Sequence, residues 1–120
     1  MPGMTLSVGM VTIDCADPRA LAAFWTEALG LEVSQDFFGE YLVLSSDASP
    51  VAIGIQRVPE PRAGKNRLHL DLTTEDSDGE VARLVALGAK EVGKHEVPGF
   101  GWTVLTDPEG NEFCVGAAHA

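Results

Sequence analysis

The fold is decided by a stretch near the N-terminus, MVTIDCADPRALAAFWTEALG (residues 10–30). Its first part alternates apolar and polar residues, as a half-buried strand does. Asp17 and Pro18 then form a helix start, because an aspartate accepts the free amide hydrogens and proline suits the first helical position. Gly30 ends the helix, since glycine adopts positive φ readily. The helix carries one apolar stripe: Leu21, Phe24, Trp25, Ala28 and Leu29.

The second half of the chain repeats this pattern in HLDLTTEDSDGEVARLVALG (residues 69–88). Residues 77–80 match a capping box, with Asp76 as an alternative cap. The apolar stripe of this helix consists of Val81, Leu84, Val85 and Leu87, and Gly88 ends it. The segment YLVLSSD (residues 41–47) likewise aligns with WTVLTD (residues 102–107). Because all landmarks recur at a spacing of about 60 residues, the sequence indicates an internal duplication.

Strand signals surround the two helices at residues 5–15, 31–35, 41–46, 51–58, 68–74, 89–94, 102–106 and 112–117. A strand, a helix and three further strands follow one another, and this order occurs twice. It predicts an α+β fold of two tandem βαβββ modules. Residues 1–58 form the first module, 59–67 a linker with prolines and a glycine, and 68–120 the second module. The 120 residues fit one ordinary domain, so we treat the two modules as halves of a single domain.

Strand alternation assigns a face to each side chain. Leu68, Leu70 and Leu72 point to the helix, which leaves His69 and Asp71 on the opposite face. The non-helical faces of both modules also carry Met10, Tyr41, Gly54, Gln56, Trp102 and Cys114. This mixture of small, aromatic and polar residues is typical of a ligand pocket, although antiparallel sheets also expose one face to water. We expect a mixed sheet that curves into a cup, with the helices on its outer side.

Composition and charge exclude several classes of protein. Acidic residues number 18 against eight basic ones, for a net charge of −10, which disfavours binding to nucleic acid or to anionic membranes. No apolar stretch is long enough to cross a bilayer, and the N-terminus lacks the basic flank of a secretion signal. The two cysteines, Cys15 and Cys114, form no CxxC pair. We therefore expect a cytoplasmic protein with reduced thiols.

Four features resemble the vicinal oxygen chelate superfamily, the group of glyoxalase I, bleomycin-resistance proteins and extradiol dioxygenases. They are DPRALAAFWTEALGLEV, KNRLHLDL, the duplicated plan itself, and the terminal DPEGNEFCV. KNRLHLDL and WTVLTDPEGNEFCV together are similar to its small glyoxalase-like domain branch. The resemblance implies the glyoxalase/bleomycin-resistance/dioxygenase fold, a ligand in the cup, and pairing of two chains into a homodimer.

Metal-dependent members of the superfamily carry ligands at four positions, which the resemblance places at Met10, Gly54, His69 and Cys114. The usual ligands are His, Gln and Glu, so this chain departs from the pattern. Methionine is a poor ligand for a hard ion and glycine has no side chain. His69 and Cys114 remain, with Gln56 and Asp71 as neighbours on the same face. We therefore expect no catalytic metal and no other cofactor, with a distorted Cys–His zinc site as the alternative.

The individual candidates each have a functional and a structural interpretation. His69 has the chemistry of a general base, or it simply bonds to Asp71. Cys114 is interpreted as a structural thiol rather than a nucleophile. Tyr41 and Trp102 occupy equivalent positions and are predicted to hold an aromatic ligand between them, or to pack on the sheet. The predicted ligand-binding set is Met10, Tyr41, Gln56, His69, Trp102 and Cys114.

Half of the basic residues lie near the linker: Arg57, Arg62, Lys65 and Arg67. Such a patch steers an anionic ligand, or it is an ordinary solvated loop. His95 is interpreted as a surface residue placed by chance. The leading functional hypothesis is a metal-independent protein that binds a small organic molecule. The alternatives are a divalent-metal-dependent lyase, isomerase or dioxygenase that uses His69, and metal-free acid–base catalysis by His69, so enzyme activity is left open.

Overall fold

The computed structural model describes residues 6–117, which contain eight strands and two helices in the predicted order. The first half contains β1 (Met10–Cys15), α1 (Pro18–Leu29), β2 (Glu32–Phe37), β3 (Tyr41–Ser45) and β4 (Ala52–Arg57). The second half contains β5 (Leu70–Thr73), α2 (Ser77–Leu87), β6 (Lys90–Val97), β7 (Phe100–Thr106) and β8 (Glu112–Gly116). Thr5, where the first strand signal begins, lies outside the described residues.

The chain divides into two compact units, Met1–Pro61 and Arg62–Ala120, called the first and second unit below. The first unit is a four-stranded mixed sheet in the order β1-β4-β3-β2, in which only the β1–β4 pair is parallel. The second unit has the order β5-β8-β7-β6, with β5 and β8 parallel. The predicted α+β fold of two βαβββ modules is confirmed.

Strand register makes the two units equivalent position by position. In the first unit, Gly54 of β4 lies opposite Thr12 of β1 and Val43 of β3. In the second unit, Cys114 of β8 lies opposite Asp71 of β5 and Val104 of β7. By the same register Met10 corresponds to His69, and Tyr41 to Trp102. The two faces can therefore be compared residue by residue.

Helix α1 forms as its sequence predicts. The Asp17 side chain accepts a hydrogen bond from the Ala20 amide at 3.3 Å, and Gly30 ends the helix at φ 67°. Residues of the stripe pack on the sheet, where Leu21 and Trp25 are 0% and 1% exposed. Burial of such side chains stabilises the fold by about 1.5–3 kcal/mol each, which fixes one face of the sheet as the core of the first unit.

Helix α2 differs from the prediction in two details. Its cap is Asp76, which accepts a hydrogen bond from the Gly79 amide at 3.0 Å, so the capping box at residues 77–80 is wrong and the alternative cap is correct. Val81 and Leu84 are buried, but Val85 is 46% exposed. Val85 therefore lies at the margin of the helix rather than in the core.

Strand β5 begins two residues later than predicted, at Leu70. The Asn66 side chain accepts a hydrogen bond from the Glu112 amide at 3.2 Å and donates one to the Asn111 side chain at 3.1 Å. These bonds hold the preceding segment as a loop beside the start of β8. Leu68 consequently points to solvent with 85% exposure, and its predicted burial under the helix is wrong.

Neither helix of the described chain is long and apolar enough to cross a membrane. Helix α1 has 12 residues and α2 has 11, whereas a membrane span needs about 20.

Candidate functional site

The non-helical face of the second unit lines a cavity of about 500 Å³. Its wall contains His69, Asp71, Phe100, Trp102, Val104 and Cys114. All six are contributed by strands β5, β7 and β8, or by the residue just before β5. The cavity therefore lies within the second unit, and its wall is formed mainly by the sheet of that unit.

The register of the second sheet explains this grouping. Cys114 is level with Asp71 on one side and Val104 on the other, while Trp102 is level with Gly116. A Cβ atom on Gly116 would lie only 3.2 Å from the Trp102 Cβ and 3.0 Å from the Gly101 carbonyl oxygen. Because residue 116 is glycine, the Trp102 side chain has space to pack against the sheet.

His69, Asp71 and Cys114 form a polar cluster at one end of this wall. The His69 Nε2 and Asp71 Oδ1 atoms are 3.3 Å apart, with side chains that are 42% and 73% exposed. The potential metal-binding atoms of all three residues lie within 4.8 Å of one another. Sequence alternation placed His69 and Asp71 on one face, but Asp71 was not among the predicted ligand-binding residues.

The environment of Cys114 disfavours its thiolate form. Burial raises the pKa of Cys114 above its ordinary value, and the negative charge of Asp71 and a hydrogen bond to it act in the same direction. The charge of Glu112 also raises this pKa, whereas Lys65 lowers it. Because the thiolate is the nucleophilic form, this geometry does not activate Cys114 by itself.

Aromatic rings form the opposite end of the wall. Trp102 is stacked with Phe100 at 5.6 Å between ring centroids and with His95 at 5.5 Å, with interplanar angles of 27° and 21°. His95 lies opposite Trp102 in the β6–β7 hairpin. The interpretation of His95 as a chance surface residue overlooked this pairing, which the hairpin register contains. Phe100 was missed too, although it stands two residues before Trp102 on the same strand face.

The basic residues near the linker make local contacts. Lys65 forms an ion pair with Glu112, and this hydrogen bond is the main cause that lowers the pKa of the Glu112 carboxyl. In the first unit, Arg57 Nε contacts Glu40 Oε2 at 2.5 Å and Arg57 donates to the Ala16 carbonyl at 2.6 Å. These pairings reduce the charge that the cluster offers to an anionic ligand.

In the first unit, side chains crowd the position equivalent to Cys114, which is Gly54. The Tyr41 hydroxyl donates to the Met10 sulfur at 3.5 Å, and the Tyr41 ring is stacked with Phe37 at 6.0 Å. A Cβ atom on Gly54 would lie 2.6 Å from the Thr12 Oγ1, 3.1 Å from the Tyr41 hydroxyl and 3.2 Å from the Met10 sulfur.

Gln56, the remaining first-unit candidate, is exposed at the end of β4, opposite Tyr41 and Asp14.

The four positions that the resemblance gives to metal ligands do not fit a metal as a set. Position 54 has no side chain, and the place where one would begin is already crowded by Thr12, Tyr41 and Met10. Met10 offers only a thioether, whose sulfur accepts a hydrogen bond from the Tyr41 hydroxyl. The donors of the second unit, by contrast, lie together.

Comparison with known proteins agrees with this architecture. The glyoxalase-like domain family matches residues 10–116, and a search of the curated proteins finds no significant match. A glyoxalase/bleomycin resistance protein/dioxygenase family enzyme from Burkholderia phytofirmans PsJN superposes with a TM-score of 0.73 at 23% identity, over 92% of this chain and 98% of its own.

Two further solved structures have the same fold. A lactoylglutathione lyase from Agrobacterium tumefaciens gives a TM-score of 0.71 at 19% identity, over 93% of both chains. The antibiotic-binding protein TnmS3 from Streptomyces sp. CB03234 gives 0.73 at 22% identity, over 98% of this chain and 100% of its own. The chain therefore belongs to the glyoxalase-like domain family, within the vicinal oxygen chelate superfamily.

Proposed function

We propose that the protein binds a small organic molecule with a planar aromatic part, on the non-helical face of the second unit. The observation that carries this proposal is the cavity of about 500 Å³ with Trp102 and Phe100 in its wall. Ligand pockets typically have volumes of roughly 300–1,000 Å³ and apolar walls with a few polar groups. The second-unit face has that size and that composition.

The aromatic wall supports an interpretation as a pocket rather than a merely wet sheet. Trp102 is half-buried, and its stacking on His95 and Phe100 holds the ring in one orientation. A preoriented indole stacks on a flat ligand at little cost in conformational entropy. The ring system is therefore suited to planar aromatic molecules.

The polar cluster would orient the ligand. His69 and Asp71 are exposed to the cavity, and together they offer a hydrogen-bond donor and acceptor. Glu112 is less suited to this role because Lys65 already occupies its carboxylate. A ligand with a hydroxyl or carbonyl group next to its aromatic ring matches this arrangement of groups.

We propose further that this binding needs no catalytic metal held at the four superfamily positions, because Gly54 has no side chain and Met10 offers only a thioether, a poor ligand for a hard ion. TnmS3, a protein of similar fold, binds an antibiotic, so the fold is compatible with a binding role. The lactoylglutathione lyase of similar fold is compatible with an enzymatic one.

Tryptophan fluorescence tests the proposal. The chain has two tryptophans, and Trp25→Phe leaves Trp102 as the single reporter. Titration with 2-naphthoate, coumarin and an anthraquinone sulfonate should change Trp102 emission saturably for at least one probe. Trp102→Ala, assayed by thermal shift, should weaken that binding by about 10-fold or more, because stacking and burial of one aromatic ring exceed about 1.4 kcal/mol.

Two variants serve as comparisons in this experiment. Phe38→Ala removes a ring that is 96% exposed in the first unit and should leave the titration unchanged. Tyr41→Ala tests the predicted role of Tyr41 as a second stacking partner. Ligand responses that survive Trp102→Ala undiminished would show that binding occurs elsewhere.

The alternative is a divalent-metal-dependent lyase, isomerase or dioxygenase that uses His69. The clustering of His69 with Asp71 and Cys114 is the observation that favours it. This alternative requires a turnover that depends on added metal and is lost in His69→Ala. Metal-free acid–base catalysis would instead give turnover without metal, with a pH profile that His69→Ala abolishes.

We also propose that the protein acts in the cytoplasm as a homodimer. Neither Cys15 nor Cys114 is part of a disulfide, as is usual in a reducing compartment. Light scattering coupled to size-exclusion chromatography tests the dimer: a mass of about twice 12.7 kDa is expected, and a monomer would contradict it.

A further inference from the structure

We infer that His69, Asp71 and Cys114 form a binding site for a zinc-class divalent ion, contained entirely in the second unit. This donor set differs from the four superfamily positions: it uses Asp71 and needs no residue of the first unit. The inference uses the polar cluster that the proposed function assigns to orienting the ligand, so an ion there would take over the His69 and Asp71 side chains. The tests below read metal binding alone, and their failure leaves the binding of an aromatic molecule at Trp102 to be judged by its own titration.

The backbone brings the three donors together before any ion is present. Asp71 and Cys114 face each other in the parallel β5–β8 pair, and His69 is two residues from Asp71 on the same side. Their donor atoms lie within 4.8 Å of one another. Donors around a tetrahedral zinc ion are about 3.3–3.7 Å apart, given bond lengths of about 2.0–2.3 Å.

The remaining contraction of the cluster requires only side-chain rotation. The His69 and Asp71 side chains are partly solvent-exposed, so small changes in their torsion angles are not blocked by packing. Cys114 is half-buried on the sheet and is the fixed member. Closure onto an ion therefore leaves the strand ladder intact.

The donor types select the ion. One imidazole nitrogen, one carboxylate oxygen and one cysteine sulfur suit zinc and cobalt(II), whereas magnesium and calcium prefer oxygen donors alone. The Cys114 thiol would release its proton to solvent on coordination, because a bound divalent ion stabilises the thiolate. Three protein donors leave a fourth tetrahedral position for water or a ligand, and all three donors line the cavity. The chain's net charge of −10 further favours the approach of a cation.

Glu112 stands near the cluster without belonging to it. Its carboxylate is paired with Lys65, so it would have to break that ion pair to reach an ion. It therefore provides a matched control carboxylate for Asp71. Cys15 provides a matched control thiol, since it is buried in the first unit with its sulfur directed at the Gln56 carbonyl oxygen.

Cobalt(II) titration of the full-length, tag-free protein after treatment with a chelator tests the site. One equivalent of cobalt should produce a thiolate-to-cobalt charge-transfer band in the near ultraviolet and intense visible bands of tetrahedral coordination. Zinc should displace the cobalt and abolish both sets of bands, while magnesium should not. Absence of a thiolate band at stoichiometric protein concentration would overturn the inference.

Variants assign the donors. Cys114→Ser should remove the charge-transfer band, and His69→Asn and Asp71→Asn should each weaken cobalt binding by at least about 10-fold, because even outer-sphere partners are worth roughly 10- to 100-fold. Cys15→Ser and Glu112→Gln should retain the wild-type spectrum. A band that persists in Cys114→Ser, or disappears equally in Cys15→Ser, would contradict the assignment.

A measurement on the unmodified sequence guards against misfolded variants. Zinc should protect Cys114 of the wild-type protein from alkylation by iodoacetamide, as read by mass spectrometry of the peptide that contains it. Labelling of Cys114 at the same rate with and without stoichiometric zinc would overturn the inference, whatever the variants do.

Discussion

The two units of this protein share one backbone plan and differ in what they place on its open face. Each has a parallel pair formed by its first and last strands, and each covers one side of its sheet with a capped helix. In the first unit the non-helical face, called the open face below, is crowded around Gly54 by the side chains of Thr12, Met10 and Tyr41. In the second unit the equivalent place opens into a cavity beside Cys114.

The difference shows which features the two units share and which they do not. Leu44 and Leu105 occupy equivalent positions under the helices, and both are completely buried. The open face has no such constraint, so Met10 in one unit corresponds to His69 in the other, and Thr12 to Asp71. Both units therefore share the hydrophobic core, whereas the polar cluster of His69, Asp71 and Cys114 belongs to the second unit.

The largest effect is expected from truncation of the shared core. Leu44→Ala and Leu105→Ala should each lower the free energy of unfolding by about 2–5 kcal/mol, because each creates a cavity under a helix. Urea denaturation measures both. A loss below about 1 kcal/mol in only one variant would break the equivalence of the two cores.

An intermediate effect is expected at the two equivalent positions of the open faces. Gly54→Ala should lower the free energy of unfolding by about 1–3 kcal/mol, because its Cβ would overlap the Thr12 hydroxyl at 2.6 Å. Adding Thr12→Ala should recover part of that loss. Cys114→Met, which extends into the cavity, should cost only about 0.5 kcal/mol. Equal costs at positions 54 and 114 would show that the second face is as filled as the first.

The smallest effect is expected in the rate at which the cysteines are alkylated. This rate is measured with a chelator present, so that no metal ion covers Cys114. Iodoacetamide should label Cys114 slowly at neutral pH and leave the buried Cys15 unmodified in the folded protein. Since the charge of Asp71 raises the pKa of Cys114, Asp71→Asn should lower that pKa and speed labelling at neutral pH. Glu112→Gln should act in the same direction and more weakly. A slower reaction in Asp71→Asn would contradict this electrostatic account.

Much of the fold could be predicted from the sequence because its signals are local. Asp17, Pro18 and Gly30 mark a helix by their own conformational preferences, and they lie where predicted. Leu68 was assigned to the wrong environment because alternation holds only inside a strand. The start of β5 depends on the contacts of Asn66 with Asn111 and Glu112, which are distant in sequence.

The site was less predictable because it depends on pairing between strands. Alternation placed His69, Trp102 and Cys114 on the correct faces, but the stacking of His95 on Trp102 arises from the β6–β7 register. The proximity of Asp71 to Cys114 likewise requires the parallel β5–β8 pairing. Such contacts become visible only once the partner strand is known.

The central claim is that ligands bind on the open face of the second unit, and the indole N–H resonances of the two tryptophans test it most directly. Trp25 is 1% exposed in the first unit and serves as the internal reference. Titration of ¹⁵N-labelled protein with a planar aromatic probe that raises its Tm should shift the Trp102 indole signal and the amides of β7 and β8 saturably, while the Trp25 signal stays in place. An unchanged Trp102 signal, with shifts concentrated in β3 and β4 instead, would contradict the account.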